Sequence, residues 1–379
     1  MLNTLPNQGN FSEEQIIIPE SCQKYFDKNI KDFAEMQEKY SISLTGQIGV
    51  GKSTLCQALK ILFDNAQFKL NPIREYINYD SDGPAMLEKF LKGTMTNPTF
   101  QNYIMDVYQI QCKQMSDWNI RVIERPVVDS VACFGVFSHV RQKDFTTLQL
   151  NALFDRCLIC CESFDLPEYD GNRETKFKKI LSIDFEKALL EILEVIYNDL
   201  KLGISKRLIG LDITSQGIDE FYDYDVPKEI MNYDAELSNE NLIIDDFITS
   251  LQKEHISIEE FNKEEFDFKD ITNIENLLIK NNAMKIPEIN RAFKRFVGRM
   301  NAFKIFSKNP DFRIELAFII NRINHRNRDC EKSYDVPYLL SIHSFYKDIY
   351  KNTEESYPLV YSDIFIESSR MRKIMGSPY

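Results

Sequence analysis

The feature that most limits how this chain can fold is the stretch SISLTGQIGVGKSTL at residues 41–55. β-Prone residues lead into the pattern G-x-x-x-x-G-K-S, and an apolar helical pattern follows it. In such a strand–loop–helix unit the backbone N–H groups of the loop surround phosphates, and the lysine reaches their outer oxygens. The pattern therefore predicts that ATP binds through the residues of this phosphate loop: Gly46, Gln47, Ile48, Gly49, Val50, Gly51, Lys52, Ser53 and Thr54.

The surrounding sequence predicts an α/β fold with three layers, in which a central parallel sheet of about five strands is flanked by helices. Strands are expected at Ser41–Thr45, Phe68–Glu75 and Ile120–Ile123, and a helix is expected from Asn97 to about Cys112. Ligand sites in parallel sheets lie at the carboxyl ends of the strands. Three charged residues fall at such ends, beside the phosphate loop: Glu75, Glu124 and Arg125.

The pattern is weaker beyond residue 150. Cys157–Ser163 and Arg207–Ile213 are predicted as strands, and Phe185–Leu202 is predicted as a helix. From about residue 289 the pattern is strongly helical, and Pro358–Ser362 is predicted as a last strand.

The charged residues are unevenly distributed along the chain. The formal net charge is −12, which argues against a nucleic-acid polymer as the partner. The segment from Asp219 to Asp270 holds 17 acidic residues, four lysines and no arginine, so that the rest of the chain is close to neutral. We therefore predict a mostly helical acidic insertion at 161–300, an N-terminal extension at 1–37, and a core formed by 38–160 and 301–379.

Other bulk features favour an intracellular, cytoplasmic protein, with a nuclear or organellar location left open. No apolar run reaches the ~18–20 residues that span a bilayer, and the N-terminus lacks the pattern of a signal peptide. The eight cysteines have no disulfide-framework spacing. Cys157, Cys160 and Cys161 have no second ligand pair, so zinc is not expected.

Several charged residues are candidates for chemistry. Glu75 is a candidate general base, although a solvated or ion-paired carboxylate is the simpler reading. Glu124 could help Ser53 hold Mg²⁺, with Arg125 steadying phosphoryl charge, or the two could form a structural ion pair. A lid is predicted at 322–331, where guanidinium groups could clamp the transferring phosphoryl group, with a solvated basic face as the alternative: Arg322, Arg326 and Arg328.

Taken together, these motifs resemble those of the deoxyribonucleoside kinase family. The resemblance rests on Gly46–Ser53, the Glu-Tyr-Ile at 75–77, the Phe-Gln-Asn-Tyr at 100–103, the Glu-Arg-Pro at 124–126 and the arginine-rich run ending in Glu331. The segment Val336-Pro337-Tyr338-Leu339, followed by His343 and Tyr346, and the segment 358–363 also resemble the family. Order and spacing agree over about 40–155 and 302–365.

The resemblance implies roles for a second set of residues. Gln101 would bind the Watson–Crick edge of a nucleobase, and Glu331 would bind a sugar hydroxyl. Ile104 and Ser130 would leave room for the 5-methyl group of thymine, whereas Tyr108 could fill part of the same space. Alternatively, Ile104 and Ser130 simply pack between helices. Four positions depart from the family's pattern: Tyr76 and Pro126 replace a proline and a serine, Asp80 replaces a tryptophan, and Phe90 replaces a sugar-binding tyrosine.

The expected function is ATP- and Mg²⁺-dependent phosphorylation of the 5′-hydroxyl of a deoxyribonucleoside, with thymidine or another pyrimidine preferred. The alternatives are a nucleoside monophosphate kinase, a P-loop ATPase or GTPase, and a weakly active ATP-binding scaffold that acts through the acidic insertion. A GTPase is disfavoured because no Asn-Lys-x-Asp loop occurs in the sequence. The small-molecule nucleoside is the expected partner, neither a membrane nor a nucleic acid is expected, and a homodimer or a protein partner of the insertion is left open.

Overall fold

A computed structural model describes residues 16–31, 33, 39–66, 68–114, 117–136, 145–167, 176–221, 230, 239–256 and 270–351. These residues divide between two compact units. The first unit contains the described residues up to 221 together with Arg322–Ser333 and 345–351. The second contains the described residues from 230 to 321 together with Tyr334–Ser344.

The first unit is built on a five-stranded parallel sheet with the order β2-β3-β1-β5-β4. Its strands are β1 (Tyr40–Thr45), β2 (Leu70–Ile73), β3 (Ile120–Ile123), β4 (Lys176–Leu181) and β5 (Lys206–Asp212). All four strand pairings are parallel. This architecture, with helices flanking the sheet, confirms the predicted three-layer α/β class.

The strand positions follow from simple steric rules. Every residue of β1 is buried, as expected for a central strand covered on both faces. Pro72 lies within β2, where its missing N–H is tolerated because β2 is an edge strand of the described sheet. Gly210 of β5 is required by close packing, since a Cβ there would lie 2.8 Å from the rings of Phe177 and Tyr350.

The helices that flank this sheet form two groups. Helices α1 (Glu20–Asn29), α2 (Lys52–Asn65) and α8 (Phe185–Leu202) pack together, as do α5 (Asn97–Gln114), α6 (Val128–Val131) and α7 (Thr147–Phe164). Shorter helices of the first unit are α3 (Tyr76–Tyr79), α4 (Gly83–Leu91) and α9 (Ser215–Phe221), with a π-helical turn at Ala132–Val136 and a 3-10 turn at Asp329–Glu331.

The predicted strand at Cys157–Ser163 is wrong, because these residues belong to α7. Thr146 and Gln149 form a reciprocal capping box at the start of this helix, and Asp165 ends it in the left-handed conformation. The buried side chains recur at the three- and four-residue spacing of a helix. A short apolar run does not distinguish a strand from a buried helix, which explains the error.

The predicted insertion boundaries also need correction. Strands β4 and β5 both fall within 161–300, yet they belong to the central sheet, and β5 pairs directly with β1. The second unit begins near residue 223, not 161, and extends to 321, not 300. In the predicted N-terminal extension, α1 is part of the first unit and packs Phe26 edge-on against Phe63 of α2. The predicted strand at 358–362 lies outside the described residues.

The described elements of the second unit are helical, in agreement with the predicted character of the insertion. Helix α10 (Glu240–Lys253) packs against α12 (Pro287–Lys308), with the ring of Phe247 stacked on Phe296 at a centroid distance of 4.5 Å. Asp246 of α10 pairs with Arg299 of α12 at 2.7 Å. Helix α11 (Ile271–Lys280) and the 3-10 turn Ala283–Lys285 also belong to this unit.

Two helices contribute to both units: α13 (Phe312–His325) and α14 (Val336–Tyr350). Within the second unit, the buried side chains of Glu315 and His343 lie 2.6 Å apart. None of the helices that the structure describes has the length and apolar character needed to cross a membrane.

Candidate functional site

The phosphate loop joins β1 to α2 in the first unit. Three of its residues have positive φ angles: Gly46 at +142°, Gly49 at +85° and Gly51 at +99°. A side chain on Gly46 would in addition place its Cβ 2.7 Å from the carbonyl oxygen of Leu211. The loop therefore needs glycine both for its backbone path and for its approach to β5.

Lys52 is folded back on this loop. Its Nζ donates hydrogen bonds to the carbonyl oxygens of Gly46 and Gln47, at 2.8 and 2.7 Å. Burial of the ammonium group, together with the positive charge of Arg125, lowers the pKa of Lys52 from 10.5 to about 7. Glu75 and Glu124 act in the opposite direction. The lysine is thus within electrostatic reach of both candidate carboxylates.

Ser53 and Glu124 form the predicted metal-binding pair. Ser53 Oγ donates a hydrogen bond to Glu124 Oε1. The other oxygen of Glu124 accepts a hydrogen bond from the backbone N–H of Glu75 at 2.9 Å, and Asn78 Nδ2 donates to Oε1 at 3.0 Å. The carboxylate of Glu124 is buried. Its hydrogen bonds to Ser53, Glu75 and Asn78 hold it in one orientation beside the start of α2.

The residues of this pair fit Mg²⁺. The ion takes oxygen ligands and keeps several waters when it also binds substrate phosphates, so one hydroxyl and one carboxylate suffice as protein ligands. Within the described part of the chain, no group of three or more His, Cys, Asp or Glu residues could hold a metal by itself. A metal here would therefore take the rest of its coordination from phosphate oxygens and water.

Glu75 and Arg125 form the central ion pair of the site. They meet because β2 pairs with β3, so the residues that follow Ile73 and Ile123 leave the sheet side by side. Arg125 Nε donates to Glu75 Oε1 at 2.5 Å. Burial would raise the pKa of Glu75, but the positive charges of Arg125 and Lys52 outweigh it and lower the pKa to about 2. The carboxylate is therefore ionised at neutral pH.

Behind Arg125 lies a buried network that the sequence analysis did not predict. Asp129 is fully buried and accepts hydrogen bonds from Thr45 Oγ1 at 2.9 Å and from Tyr346 OH at 2.8 Å. Arg125 Nη1 donates to the same Tyr346 oxygen at 3.1 Å. The available signal was the four-residue spacing between two opposite charges, although Arg125 precedes α6 and does not belong to the helix of Asp129. This network limits the rotation of the guanidinium group.

The three arginines of the predicted lid occupy different positions around the loop. Arg322 donates to the carbonyl oxygens of Ser182 and Ile183, and its Nη1 lies 3.7 Å from where a Cβ on Gly51 would be. Arg328 Nη2 donates to Asn78 Oδ1 at 3.0 Å, which links the lid to the Glu124 network. The structure thus brings Arg322 to the phosphate loop and Arg328 to the candidate metal pair.

Arg326 and Glu331 form a second, partly satisfied pair. Arg326 Nη2 lies 3.3 Å from Glu331 Oε1, and Arg328 Nη1 lies 3.6 Å from the same oxygen. Glu331 Oε2 and Arg326 Nε are buried and have no hydrogen-bond partner among the described residues. Burial raises the pKa of Glu331, and the negative charge of Glu75 raises it further. The positive charges of Arg326 and Arg328 lower it by less, so the net shift is upward. Unpartnered buried polar atoms of this kind are candidates for ligand contact.

Helix α5 carries the predicted base-binding residue. Gln101 is buried, and its Nε2 donates to Asn97 Oδ1 at 3.2 Å. Its Oε1 accepts no hydrogen bond from the part of the chain that the structure describes. Next to it, Phe100 stacks on Phe90 at 4.6 Å with an interplanar angle of 11°, and Tyr76 meets Phe100 edge-on. Phe90 therefore lies beside α5, and its ring packs on Phe100, the neighbour of Gln101.

The remaining specificity candidates lie on helices that pack together. Ile104 is half-buried one turn after Gln101 on α5, Tyr108 is buried one turn further, and Ser130 is buried on α6. Asp80, which the sequence analysis identified only as a departure from the family pattern, accepts a hydrogen bond from Tyr103 OH at 2.7 Å. Burial and this carboxylate raise the pKa of Tyr103, so its hydroxyl stays protonated.

Comparison with known proteins adds no relative. No family model, no curated protein and no solved structure matches this chain.

Proposed function

We propose that this protein is a kinase that transfers the γ-phosphoryl group of ATP to the 5′-hydroxyl of a deoxyribonucleoside, with thymidine or another pyrimidine preferred. The observation that carries the proposal is the Glu75–Arg125 pair, which adjoins Lys52 of the phosphate loop. An ionised carboxylate, a guanidinium group and a phosphate-loop lysine are the groups that phosphoryl transfer to an alcohol needs.

On the donor side, the loop amides and Lys52 bind the β- and γ-phosphates. The ammonium group exchanges its bonds to the Gly46 and Gln47 carbonyl oxygens for bonds to phosphate. Because phosphate charge favours the protonated amine, its pKa rises on binding. Ser53 and Glu124 would hold Mg²⁺, which would supply neutralisation of the phosphate charge.

On the acceptor side, Glu75 orients the attacking hydroxyl and accepts its proton. With a pKa of about 2 the carboxylate is always ionised but is a weak base while Arg125 holds it. When Arg125 shares its hydrogen bonds with the transferring group, the pKa of Glu75 rises and its basicity increases. Arg322 and Arg326 add positive charge where the transition state gains negative charge.

The nucleoside preference is supported by unsatisfied polar atoms. Gln101 offers its Oε1 and Nε2 to a pyrimidine edge, and Glu331 offers its Oε2 to a sugar hydroxyl. The stacked pair Phe90 and Phe100 supplies an apolar wall. By the family resemblance, Ile104 would leave room near the 5-position of the base.

A nucleoside monophosphate kinase is the second candidate. Arg326 favours it, because its Nε lacks a hydrogen-bond partner among the described residues and a monophosphate on the acceptor could supply one. The neighbouring carboxylate of Glu331 opposes it, since this negative charge repels a phosphate.

A phosphoryl-transfer assay distinguishes the two candidates. Purified protein is incubated with ATP, Mg²⁺ and, separately, thymidine, deoxyuridine, deoxycytidine, deoxyadenosine, deoxyguanosine and thymidine monophosphate. We expect the highest kcat/KM with thymidine or deoxyuridine. The highest value with a purine nucleoside would refute the base preference, the highest value with the monophosphate would favour the second candidate, and ATP binding without transfer to any acceptor would refute the kinase proposal.

A further inference from the structure

A cleft of about 310 Å³ lies at the end of the sheet opposite the phosphate loop. It is enclosed by the amino-terminal ends of β1, β3 and β5 and by the carboxyl-terminal end of α7. Because the strands are parallel and the loop follows the carboxyl end of β1, the whole sheet separates this cleft from the phosphate loop. No step of the proposed phosphoryl transfer uses its residues.

The walls of the cleft are predominantly cationic. Lys39, Arg121 and Lys206 line it, against the single carboxylate of Asp165. Lys206 pairs with Asp165, and Arg121 Nη1 donates to the carbonyl oxygen of Phe164 at 2.7 Å. Three cationic side chains and one carboxylate thus line the cleft, although the chain as a whole has a net charge of −12.

An aromatic ring organises these cations. The guanidinium of Arg121 lies 4.2 Å from the ring centre of Trp118, and the ammonium of Lys39 lies 4.8 Å from it. Both distances are within the range of a cation–π contact. The ring therefore holds two positive groups close together at the cleft, although the two charges repel each other.

The cleft wall also contains polar atoms that the protein does not satisfy. Arg121 Nε and Ser41 Oγ are buried and have no hydrogen-bond partner within the described residues. Ser163 and Ser205 add two further hydroxyl groups to the lining. Leaving a buried donor without a partner is unfavourable, and an acceptor that enters the cleft would supply one.

From these observations we propose that the cleft is a binding site for a small phosphate-bearing anion. Phosphate has more acceptor oxygens and more charge than a carboxylate, and so it matches three cationic side chains and several hydroxyl groups. The volume is at the lower end of that of ligand pockets, which suits a phosphate with a small organic group. This site is independent of the proposed kinase activity.

Tryptophan fluorescence tests the proposal directly, because Trp118 is the only tryptophan in the chain. Inorganic phosphate is the probe, and sodium chloride at matched ionic strength is the control for screening. The titration uses the Lys52→Ala variant, which removes phosphate binding at the loop, and is repeated on the wild-type protein. We expect a saturable change with phosphate in both proteins and none with chloride.

Charge-removing variants locate the site. Lys39→Gln and Lys206→Gln should each weaken phosphate binding about tenfold, the usual cost of one charged contact. Lys69→Gln is the matched control, since Lys69 lies near the same end of the sheet, pairs with Asp117 and does not line the cleft. A fluorescence change absent from the wild-type protein, lost in Lys52→Ala, reproduced by chloride, or weakened equally by Lys69→Gln would overturn the proposal.

Discussion

The pKa of Lys52 makes a sharp prediction about ATP binding. In the free protein, burial and the charge of Arg125 lower this pKa from 10.5 to about 7. Bound phosphates favour the ammonium form and raise the pKa in the complex. Under the proposed function, ATP would therefore bind together with a proton above pH 7, and its affinity should fall as the pH rises.

The size of the expected loss of ATP affinity follows from the pKa of Lys52 in the free protein and in the complex. If the pKa of Lys52 in the complex returns to its ordinary range, the affinity falls in proportion to the fraction of free protein that carries the charged lysine. That fraction is nearly complete at pH 6 and about one thirtieth at pH 8.5, for a free pKa of about 7. The expected loss of ATP affinity over this interval is about 30-fold.

The assay is an equilibrium ATP titration at constant Mg²⁺ and ionic strength across this pH range. Lys52→Arg is the matched control, because a guanidinium group stays charged throughout and leaves only the titration of ATP itself. We expect the wild-type protein to lose affinity with pH and the variant to change little. Equal pH profiles for the two proteins would refute the claim that a depressed lysine pKa controls nucleotide binding.

Three further substitutions test the site and the packing. Glu75→Gln should lower kcat by ~10²–10⁴ because the amide cannot accept the proton, while ATP affinity at pH 6, where the loop lysine stays charged, is retained; unchanged turnover would exclude Glu75 as the base. Gly210→Ala should lower the free energy of unfolding by about 1–3 kcal/mol in a denaturant titration, because its Cβ would lie 2.8 Å from two aromatic rings. Gly298→Ala is its control, since the nearest atom there is 3.8 Å away, and equal effects would contradict the steric argument. Phe247→Ala should destabilise the second unit by about 3–5 kcal/mol, as its stacked ring is buried; Leu242→Ala, at a half-exposed position, should cost under about 1 kcal/mol, and a comparable loss would show that this stack does not stabilise the unit.

Local pattern was sufficient to predict the half of the site that is contiguous in sequence. Gly46, Gly49 and Gly51 adopt backbone conformations that only glycine adopts readily. Their spacing in the sequence therefore predicts where the loop lies without a structure. The strand Ile120–Ile123 and the helix Phe185–Leu202 were predicted with their observed bounds, because their apolar residues follow one clear period.

Other features depended on which strands are neighbours. No local signal shows that β5, more than 160 residues after β1 along the chain, pairs with it, and this pairing removes β4 and β5 from the predicted insertion. The run Cys157–Ser163 is equally compatible with a strand and a helix, and packing within the first unit decides for the helix.

The sequence by itself determined the phosphate loop, the parallel α/β class and the identity of the charged candidates, because these depend on residue type and short spacing. Only the tertiary structure decided that Glu75 is buried yet stays ionised beside Arg125, and that the pKa of Lys52 is lowered to about 7. It also decided that Asp129 and Tyr346 support the guanidinium group. The physical reason is that a pKa and a hydrogen bond depend on burial and on atoms within a few ångströms, and folding alone brings residues 52, 75, 125 and 346 to that distance.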